Sequence, residues 1–229
     1  MDNNFNNQID KWLTQVSEGC HSLAKLDERY PDFYVFQSKI HYKPELLIIG
    51  ANPAGDTNYL DLLKRRGVNY RTKDDLANAS NQYLDNPNWN VSRPLLQMFS
   101  DIRLRSILEK SVIMNAVYFN TSKVSDLRKF EHGAEMITFC TTKSLELIYN
   151  ILSPKNILFN GKDASKWLGI TFNDETDTVL HDGKKSWLIQ KKVVNNINHY
   201  RILHTSRNYS FNTGLNLKMK KEYFEKNLK

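Results

Sequence analysis

The sequence predicts an α/β protein in which a mostly parallel, four-stranded central sheet is covered by helices on both faces, giving three layers. Three short apolar runs, residues 45–50, 111–118 and 156–161, have the continuous hydrophobic pattern of strands that are buried on both sides. Segments with apolar residues at three- and four-residue steps alternate with these runs, which indicates helices between the strands. Strands that alternate with helices are typical of a parallel sheet.

The predicted helices can be placed in chain order. An amphipathic N-terminal helix lies within residues 1–30. Ser92 is the predicted N-cap of a second helix, with Pro94 in its first turn. Residues 134–152 form a long helix, and residues 162–168 form a short one directly after the third strand.

The remainder of the chain supplies the fourth strand and a last helix. Residues 186–196 and 200–206 are expected to form a hairpin whose second arm joins the core sheet. Residues 215–229 form a basic amphipathic helix, whose cations we expect to face solvent. Because no repeat and no Pro/Gly/Ser-rich linker divides the chain, residues 1–229 are expected to form a single domain.

Composition and charge exclude several classes of protein. Hydrophobic residues make up 40% of the 229 residues, which excludes intrinsic disorder. Two cysteines are too few for a disulfide framework or a four-thiolate metal cluster. The net charge of +7 indicates a basic face that attracts polyanions. With neither a signal peptide nor an apolar run of about 20 residues, we expect a cytoplasmic protein that does not contact membranes.

Polar segments follow all four predicted strands. Ligands of parallel sheets bind outside the carboxyl ends of the strands, so the segments there are the candidate site: residues 50–56, 115–122, 160–165 and 204–210. Asn115 stands out because a buried amide must find hydrogen-bond partners. Taken alone, it is equally consistent with a structural bridge and with a ligand contact, and a lone histidine such as His204 is more often a packed or surface residue.

Five segments, in this order, resemble the motifs of the uracil-DNA glycosylase superfamily: LLIIGANPAGD, SRPLLQMF, VIMNAVYFN, ILFNGKDASKWL and ILHTSRNYS. The likeness covers residues 45–210. The asparagine form of the first motif, with Asn52 before Pro53, is similar to the mismatch-specific and single-strand-selective branches. The resemblance implies a monomeric DNA base-excision enzyme that flips uracil or another damaged base and hydrolyses its N-glycosidic bond without metal or cofactor.

The resemblance also implies roles for individual residues. Asn52 would orient the attacking water and His204 would donate a hydrogen bond to the base oxygen, which makes these two the candidate catalytic residues. The implied substrate-binding residues are Gly50, Ala51, Ala54, Asn115 and Tyr59. The implied DNA-binding residues are Ser206, Arg207, Tyr209, Lys162 and Arg65.

The sequence departs from the family pattern at several points. Ala54 replaces the tyrosine that excludes a 5-methyl group, so thymine is not excluded by that residue. Thr205 and Arg207 replace the two prolines of the last motif. Tyr59 and Tyr70 are the candidates for the base-stacking aromatic, and each fits ordinary packing equally well.

There are three alternatives, one for the role of a residue and two for the function of the chain. Asp56 could supply a carboxylate, although we favour it as the cap of a helix over residues 57–66. Because Asn52 has no carboxylate, the chain could be a nucleic-acid- or nucleotide-binding protein that has lost the chemistry. A small-molecule α/β enzyme is the third alternative, but GANPAG lacks the G-x-G-x-x-G spacing of a dinucleotide site.

Overall fold

A computed structural model describes residues 3–55, 57–67, 70–77, 79–183, 186–207 and 209–228. The strands within these ranges are β1 (Leu46–Gly50), β2 (Val112–Asn115), β3 (Asn156–Asn160), β4 (Thr178–His181), β5 (Trp187–Val194) and β6 (Ile197–Ile202). They form one sheet in the order β2-β1-β3-β6-β5-β4. The protein is therefore an α/β protein with a mixed sheet.

The sheet has six strands, so the prediction of four was wrong. The four predicted strands are β2, β1, β3 and β6, and they pair in parallel. β5 pairs antiparallel with β6 as a hairpin, and β4 adds a further antiparallel strand at the edge. β4 alternates half-buried and exposed residues, so it lacks the continuous apolar run by which β1, β2 and β3 were found.

Helices pack on both faces of the sheet because successive strand residues point to opposite sides. Leu47 and Ile49 join a core with α1 (Asn3–Ala24) and α7 (Gly133–Glu146), and Leu46 and Ile48 join the opposite core. The helices of that opposite face are α5 (Ser92–Met98), α6 (Ile102–Glu109) and α9 (Gly214–Asn227). The two cores hold the sheet in a fixed position between the helices.

The remaining helices are short. They are α2 (Tyr59–Arg66), α3 (Lys73–Ala77), α4 (Gln82–Asp85), α8 (Lys162–Trp167), the 3₁₀ helices Val124–Lys129 and Tyr209–Phe211, and the π-helical turn Leu147–Leu152 that extends α7. Asn58 caps α2 by accepting from the Asp61 amide at 3.0 Å, and Asp56 lies outside the described residues.

Ser92 is not the cap of α5, although the sequence predicted it. The helix begins at Ser92 itself, Val91 occupies the cap position, and the Ser92 hydroxyl has no hydrogen-bond partner among the described residues.

None of the described helices is both long enough and apolar enough to span a bilayer.

Candidate functional site

A cavity of about 870 Å³ opens at the carboxyl ends of the four parallel strands. Parallel strands end at the same edge, so β1, β2, β3 and β6 each deliver a segment to it. Nine of the predicted site residues line this cavity: Gly50, Ala51, Asn52, Ala54, Asn115, Lys162, His204, Ser206 and Arg207. The sheet thus brings together residues that are up to 157 positions apart in sequence.

Asn115 ends β2 beside Gly50 and is 3% exposed. Its amide nitrogen Nδ2 is buried and has no hydrogen-bond partner among the described residues. A Cβ at position 50 would lie 2.8 Å from Asn115 Oδ1, so the glycine leaves room for the amide. An unpaired buried donor costs about 1–3 kcal/mol, and a carbonyl oxygen of a ligand in the cavity would remove that cost.

His204 follows β6 and faces the cavity as a neutral imidazole. Its Nδ1 accepts from the Ser206 amide at 3.2 Å and lies 2.9 Å from the Ser206 hydroxyl. Because an amide N–H can only donate, Nδ1 carries no proton and Nε2 carries it instead. Burial, and secondarily the charge of Arg207, lowers the pKa of His204 to about 4. His204 is therefore a neutral N–H donor at physiological pH.

Gly161 lets the ring lie close to the end of β3. A Cβ at this glycine would lie 3.3 Å from His204 Cδ2, and its φ of +109° is one that other residues rarely adopt. A side chain at position 161 would therefore both strain the backbone and displace the imidazole.

Asn52 is held by its amide nitrogen. Nδ2 donates to the Thr121 carbonyl at 2.6 Å, and it also contacts Thr121 Oγ1 at 3.0 Å and the Pro53 carbonyl at 3.1 Å. Its Oδ1 has no donor among the described residues and can accept from a water molecule. A carboxylate in this orientation would place an oxygen against the Thr121 carbonyl oxygen, so the surroundings favour an amide over an acid.

The loop that carries His204 is cross-linked to two other segments by hydrogen bonds. The Thr205 amide donates to Asn160 Oδ1 at 3.0 Å, and Asn160 Nδ2 donates to Thr205 Oγ1 at 3.1 Å. Thr205 Oγ1 in turn donates to the Val91 carbonyl at 2.9 Å. These bonds fix the His204 loop relative to β3 and to the turn before α5.

A buried lysine supports the same loop from α9. The expectation that the cations of the C-terminal helix face solvent is wrong for Lys220, which is fully buried and whose Nζ donates to Asn212 Oδ1 at 2.5 Å. Asn212 Nδ2 donates to the His204 carbonyl at 3.1 Å. Burial lowers the pKa of Lys220 to about 7, so its amine is partly deprotonated near neutral pH.

Two predicted site residues, Tyr59 and Arg65, do not line the cavity. Tyr59 is buried in the core, and its hydroxyl lies 2.6 Å from His21 Nδ1. Arg65 is exposed on α2, where its Nε donates to the Asp61 carbonyl at 3.2 Å. The side chain of Tyr209 lies outside the described part of the chain.

Sequence reasoning missed one wall of the cavity. This wall is built from residues of loops and of the start of α4 that are distant from the strand ends: Tyr34, Gln37, Arg71, Gln82 and Trp89. The Arg71 guanidinium lies 4.4 Å from the centre of the Tyr34 ring and donates to Asp32 Oδ2 at 3.0 Å. No local pattern indicates these residues, because only the tertiary fold brings their loops to the sheet edge.

The described residues contain no group of three or more His, Cys, Asp or Glu side chains that could hold a metal ion. The cavity instead presents amides, one neutral imidazole and several cations. No protein-family model matches the chain, and a search of curated proteins finds no match either.

Proposed function

We propose that this protein is a DNA glycosylase of the uracil-DNA glycosylase kind, with that superfamily's three-layer α/β/α arrangement. Its substrate is a uracil or another damaged base that is flipped out of DNA. The observation that carries the proposal is the unpaired, buried Nδ2 of Asn115 in the same cavity as the neutral His204. A flipped uracil offers a carbonyl oxygen to each of these donors.

Asn115 would read the edge of the base. Its Nδ2 donates to O4 of uracil, and its Oδ1 accepts from N3–H. Cytosine presents the reverse pattern, an amine at C4 and an acceptor at N3, so both of these bonds are lost with cytosine. Because the amide is buried, an unmatched base leaves polar groups unpaired, which makes the discrimination strong.

His204 would stabilise the departing base. As the bond between C1′ of the sugar and N1 of the base breaks, the electron pair moves onto the base and negative charge develops at O2. The proton on Nε2 can be donated in a hydrogen bond to that oxygen, and removal of one such donor typically costs about 10²–10³-fold in rate. The low pKa keeps the imidazole neutral, so no proton must be lost or gained before reaction.

Asn52 would position the water that attacks C1′. Its free Oδ1 can accept one hydrogen bond from the water, and the loop is held by Thr121 through the amide nitrogen. An amide cannot take the proton of the water, which therefore passes to solvent or to the released base. A positioned general base contributes about 10²–10⁴-fold, so this enzyme should be slower than relatives with a carboxylate here.

The amide of Asn52, in place of a carboxylate, also favours a second candidate function. Asn52 offers neither a proton acceptor nor negative charge opposite the developing cation on the sugar. A protein with this loop could bind a base or nucleotide in the cavity without cleaving it. The binding function needs only Asn115, His204 and the surrounding cations.

Excision from defined oligonucleotides tests the proposal. Single-stranded and duplex DNA carrying uracil, hypoxanthine, xanthine or a mismatched thymine is incubated with the protein, and abasic sites are revealed by alkaline cleavage. We expect cleavage at one or more of these bases. Asn115→Ala should lose it, whereas Asn156→Ala, which removes a buried asparagine at the opposite end of the sheet, should retain it.

Two outcomes would contradict the glycosylase. If the wild-type protein releases no base but binds DNA, and Asn115→Ala weakens that binding, the protein is a binding protein and not a glycosylase. If Asn115→Ala cleaves as well as the wild type, Asn115 is a structural bridge and the base-reading role is lost.

A further inference from the structure

Asn120 lies in the loop after β2 and carries a buried oxygen without a hydrogen-bond donor. The Asn120 backbone N–H donates to the Asp32 carbonyl at 2.7 Å. Its side-chain Oδ1 is buried and has no hydrogen-bond partner among the described residues. The residue lines the same cavity as Asn115 and His204. A buried amide oxygen in this state calls for a donor from outside the chain.

The side chains of Asn120 and Asn52 lie between the same two loops. Asn52 follows β1, and its Nδ2 donates at 2.6 Å to the carbonyl of Thr121, the residue next to Asn120. In the opposite direction, Asn120 Nδ2 lies 4.0 Å from the position that a Cβ on Gly55 would take, in the loop that carries Asn52. The two amides are therefore neighbours at the carboxyl edge of the sheet, and the Oδ1 of each has no donor within the described ranges.

A water molecule can use both of these oxygens at once, because it has two O–H groups to donate. Held by Asn52 alone, the water can still rotate about its one hydrogen bond. A second acceptor on Asn120 Oδ1 removes this freedom and directs a lone pair of the water at the atom that it attacks. Orientation of this kind is a large part of what a catalytic site contributes to rate.

We propose that Asn120 is a second water-positioning residue, which together with Asn52 holds the water that attacks C1′. The water oxygen bonds to C1′, the bond between C1′ and N1 of the base breaks, and its electron pair leaves with the base. Neither amide can take the proton of the water, so it passes to solvent or to the released base. This inference rests on the proposed function and adds a residue to which the family resemblance gave no role.

A carboxylate should be tolerated better at position 120 than at position 52. At Asn52 it would place an oxygen against the Thr121 carbonyl oxygen. Asn120 Nδ2 makes no hydrogen bond with the described residues, so an oxygen in its place breaks no bond. Lys123 and Arg207 line the same cavity and supply positive charge that favours an ionised carboxyl. Asn120→Asp therefore adds a proton acceptor beside the water without disturbing the loop.

The test is single-turnover excision from a uracil-containing single strand, with the protein in excess over DNA. The variants are Asn120→Leu, Asn120→Asp and, as a control for added charge, Asn90→Asp at an exposed residue that lines the cavity. We expect Asn120→Leu to excise about 10-fold more slowly than the wild type. Asn120→Asp should excise at least about 10-fold faster, because a positioned general base contributes that much or more. Its rate should rise with pH until the new carboxyl is ionised, a limb that the wild type lacks, and Asn90→Asp should not exceed the wild-type rate.

The outcomes separate this inference from the proposed function. Urea denaturation should give both Asn120 variants a midpoint close to that of the wild type, because the side chain makes no bond within the described ranges. If the wild type excises uracil but Asn120→Asp is no faster, or Asn120→Leu is no slower, the inference is overturned and the glycosylase stands. An equal gain from Asn90→Asp would also overturn it. Excision by Asn120→Asp but not by the wild type would support the inference and leave the natural chain a binding protein, whereas no excision by any of the proteins would overturn both.

Discussion

The two ends of the parallel sheet treat a buried asparagine in opposite ways. At the amino end of β3, Asn156 is 2% exposed and both ends of its amide are used. Its Nδ2 donates to the Glu45 carbonyl at 2.9 Å, and its Oδ1 accepts from Asn198 at 3.1 Å. At the carboxyl end of β2, Asn115 is equally buried, but its Nδ2 has no partner among the described residues. A satisfied amide stabilises the fold, whereas an unsatisfied one at a cavity indicates a ligand.

Location alone does not produce this difference. Asn160 ends β3 and also lines the cavity, yet both ends of its amide bond to Thr205. It therefore belongs with Asn156 as a structural residue, although its place in the fold is that of Asn115. Hydrogen-bond satisfaction, rather than position on the strand, distinguishes the two roles.

The largest expected effect is that the two asparagine substitutions change different quantities: Asn156→Ala lowers stability, whereas Asn115→Ala lowers excision. Asn156→Ala should lower the free energy of unfolding by about 1–3 kcal/mol because it leaves the Glu45 carbonyl without its donor. Asn115→Ala should change this free energy by less than about 1 kcal/mol, since no bond is lost, while excision falls by about 10²–10³-fold. Urea denaturation and single-turnover excision measure the two quantities. Equal losses of stability would show that the amides are alike.

The second prediction extends the comparison to Lys220, another group at the carboxyl end that is held there at the expense of stability. Its pKa of about 7 in the folded protein lies below the ordinary value of about 10.4 for the unfolded chain. Between these values the unfolded chain binds one more proton, so stability rises with pH in this window and the full penalty applies below pH 7.

Lys220→Met should therefore unfold less readily than the wild type at pH 6, by on the order of 3 kcal/mol, and the advantage should shrink toward pH 10. Its excision rate should fall, because the His204 loop loses the bond from Lys220 through Asn212. Urea denaturation at pH 6, 8 and 10 gives the trend. A variant that is less stable at pH 6 would show that Lys220 is structural.

A smaller effect is expected from Gly50→Ala. The added Cβ would lie 2.8 Å from Asn115 Oδ1 and would displace the amide, while φ at Gly50 is not positive and imposes no backbone strain. We expect excision to fall about 10-fold, the cost of about 1.4 kcal/mol in the transition state. In the double variant with Asn115→Ala the glycine substitution should add nothing, because neighbouring residues that act on one interaction are not additive. If the two losses of excision are additive, Gly50→Ala does not act through Asn115.

The smallest expected effect is on the salt dependence of DNA binding, which should distinguish the cations that line the cavity from Arg65. Lys123, Lys162 and Arg207 line the cavity, whereas Arg65 lies on α2 and does not. Changing each of the first three to Gln should reduce the slope of log K against log salt for a single strand by about 0.7. Arg65→Gln should leave the slope unchanged, and an equal reduction there would move the DNA path toward α2.

Much of the fold could be predicted because it depends on local patterns. Unbroken apolar runs identified β1, β2 and β3, and β6 was predicted as the second arm of a hairpin with β5. β4 was missed because this edge strand, Thr178–His181, is only half buried and its sequence does not alternate apolar and polar residues. The Ser92 cap was mistaken because Ser92 lies inside the first turn of its helix.

The site could be predicted only where it follows the strands. Asn115 is the last residue of its strand and Asn52 and His204 follow theirs by two residues, so the topology of a parallel sheet alone places them together. Trp89 and Arg71 reach the cavity through loops whose paths are set by tertiary packing, such as the bond from Thr205 to Val91. Tyr59 was proposed from the family resemblance as a candidate base-stacking aromatic, but it is 0% exposed and its ring packs with Phe33.

Cavity residues lie at the ends of β1, β2 and β3 and in the loop directly after β6, which has a consequence for amide hydrogen exchange. A ligand that contacts all four of these segments would link the four strands, so that none of them could detach while the ligand stays bound. At 100 times its dissociation constant such a ligand adds about 2.7 kcal/mol to global unfolding. Exchange at the centres of the four parallel strands should therefore slow together by about 100-fold, whereas β4, which lies at the far edge, should keep its rate.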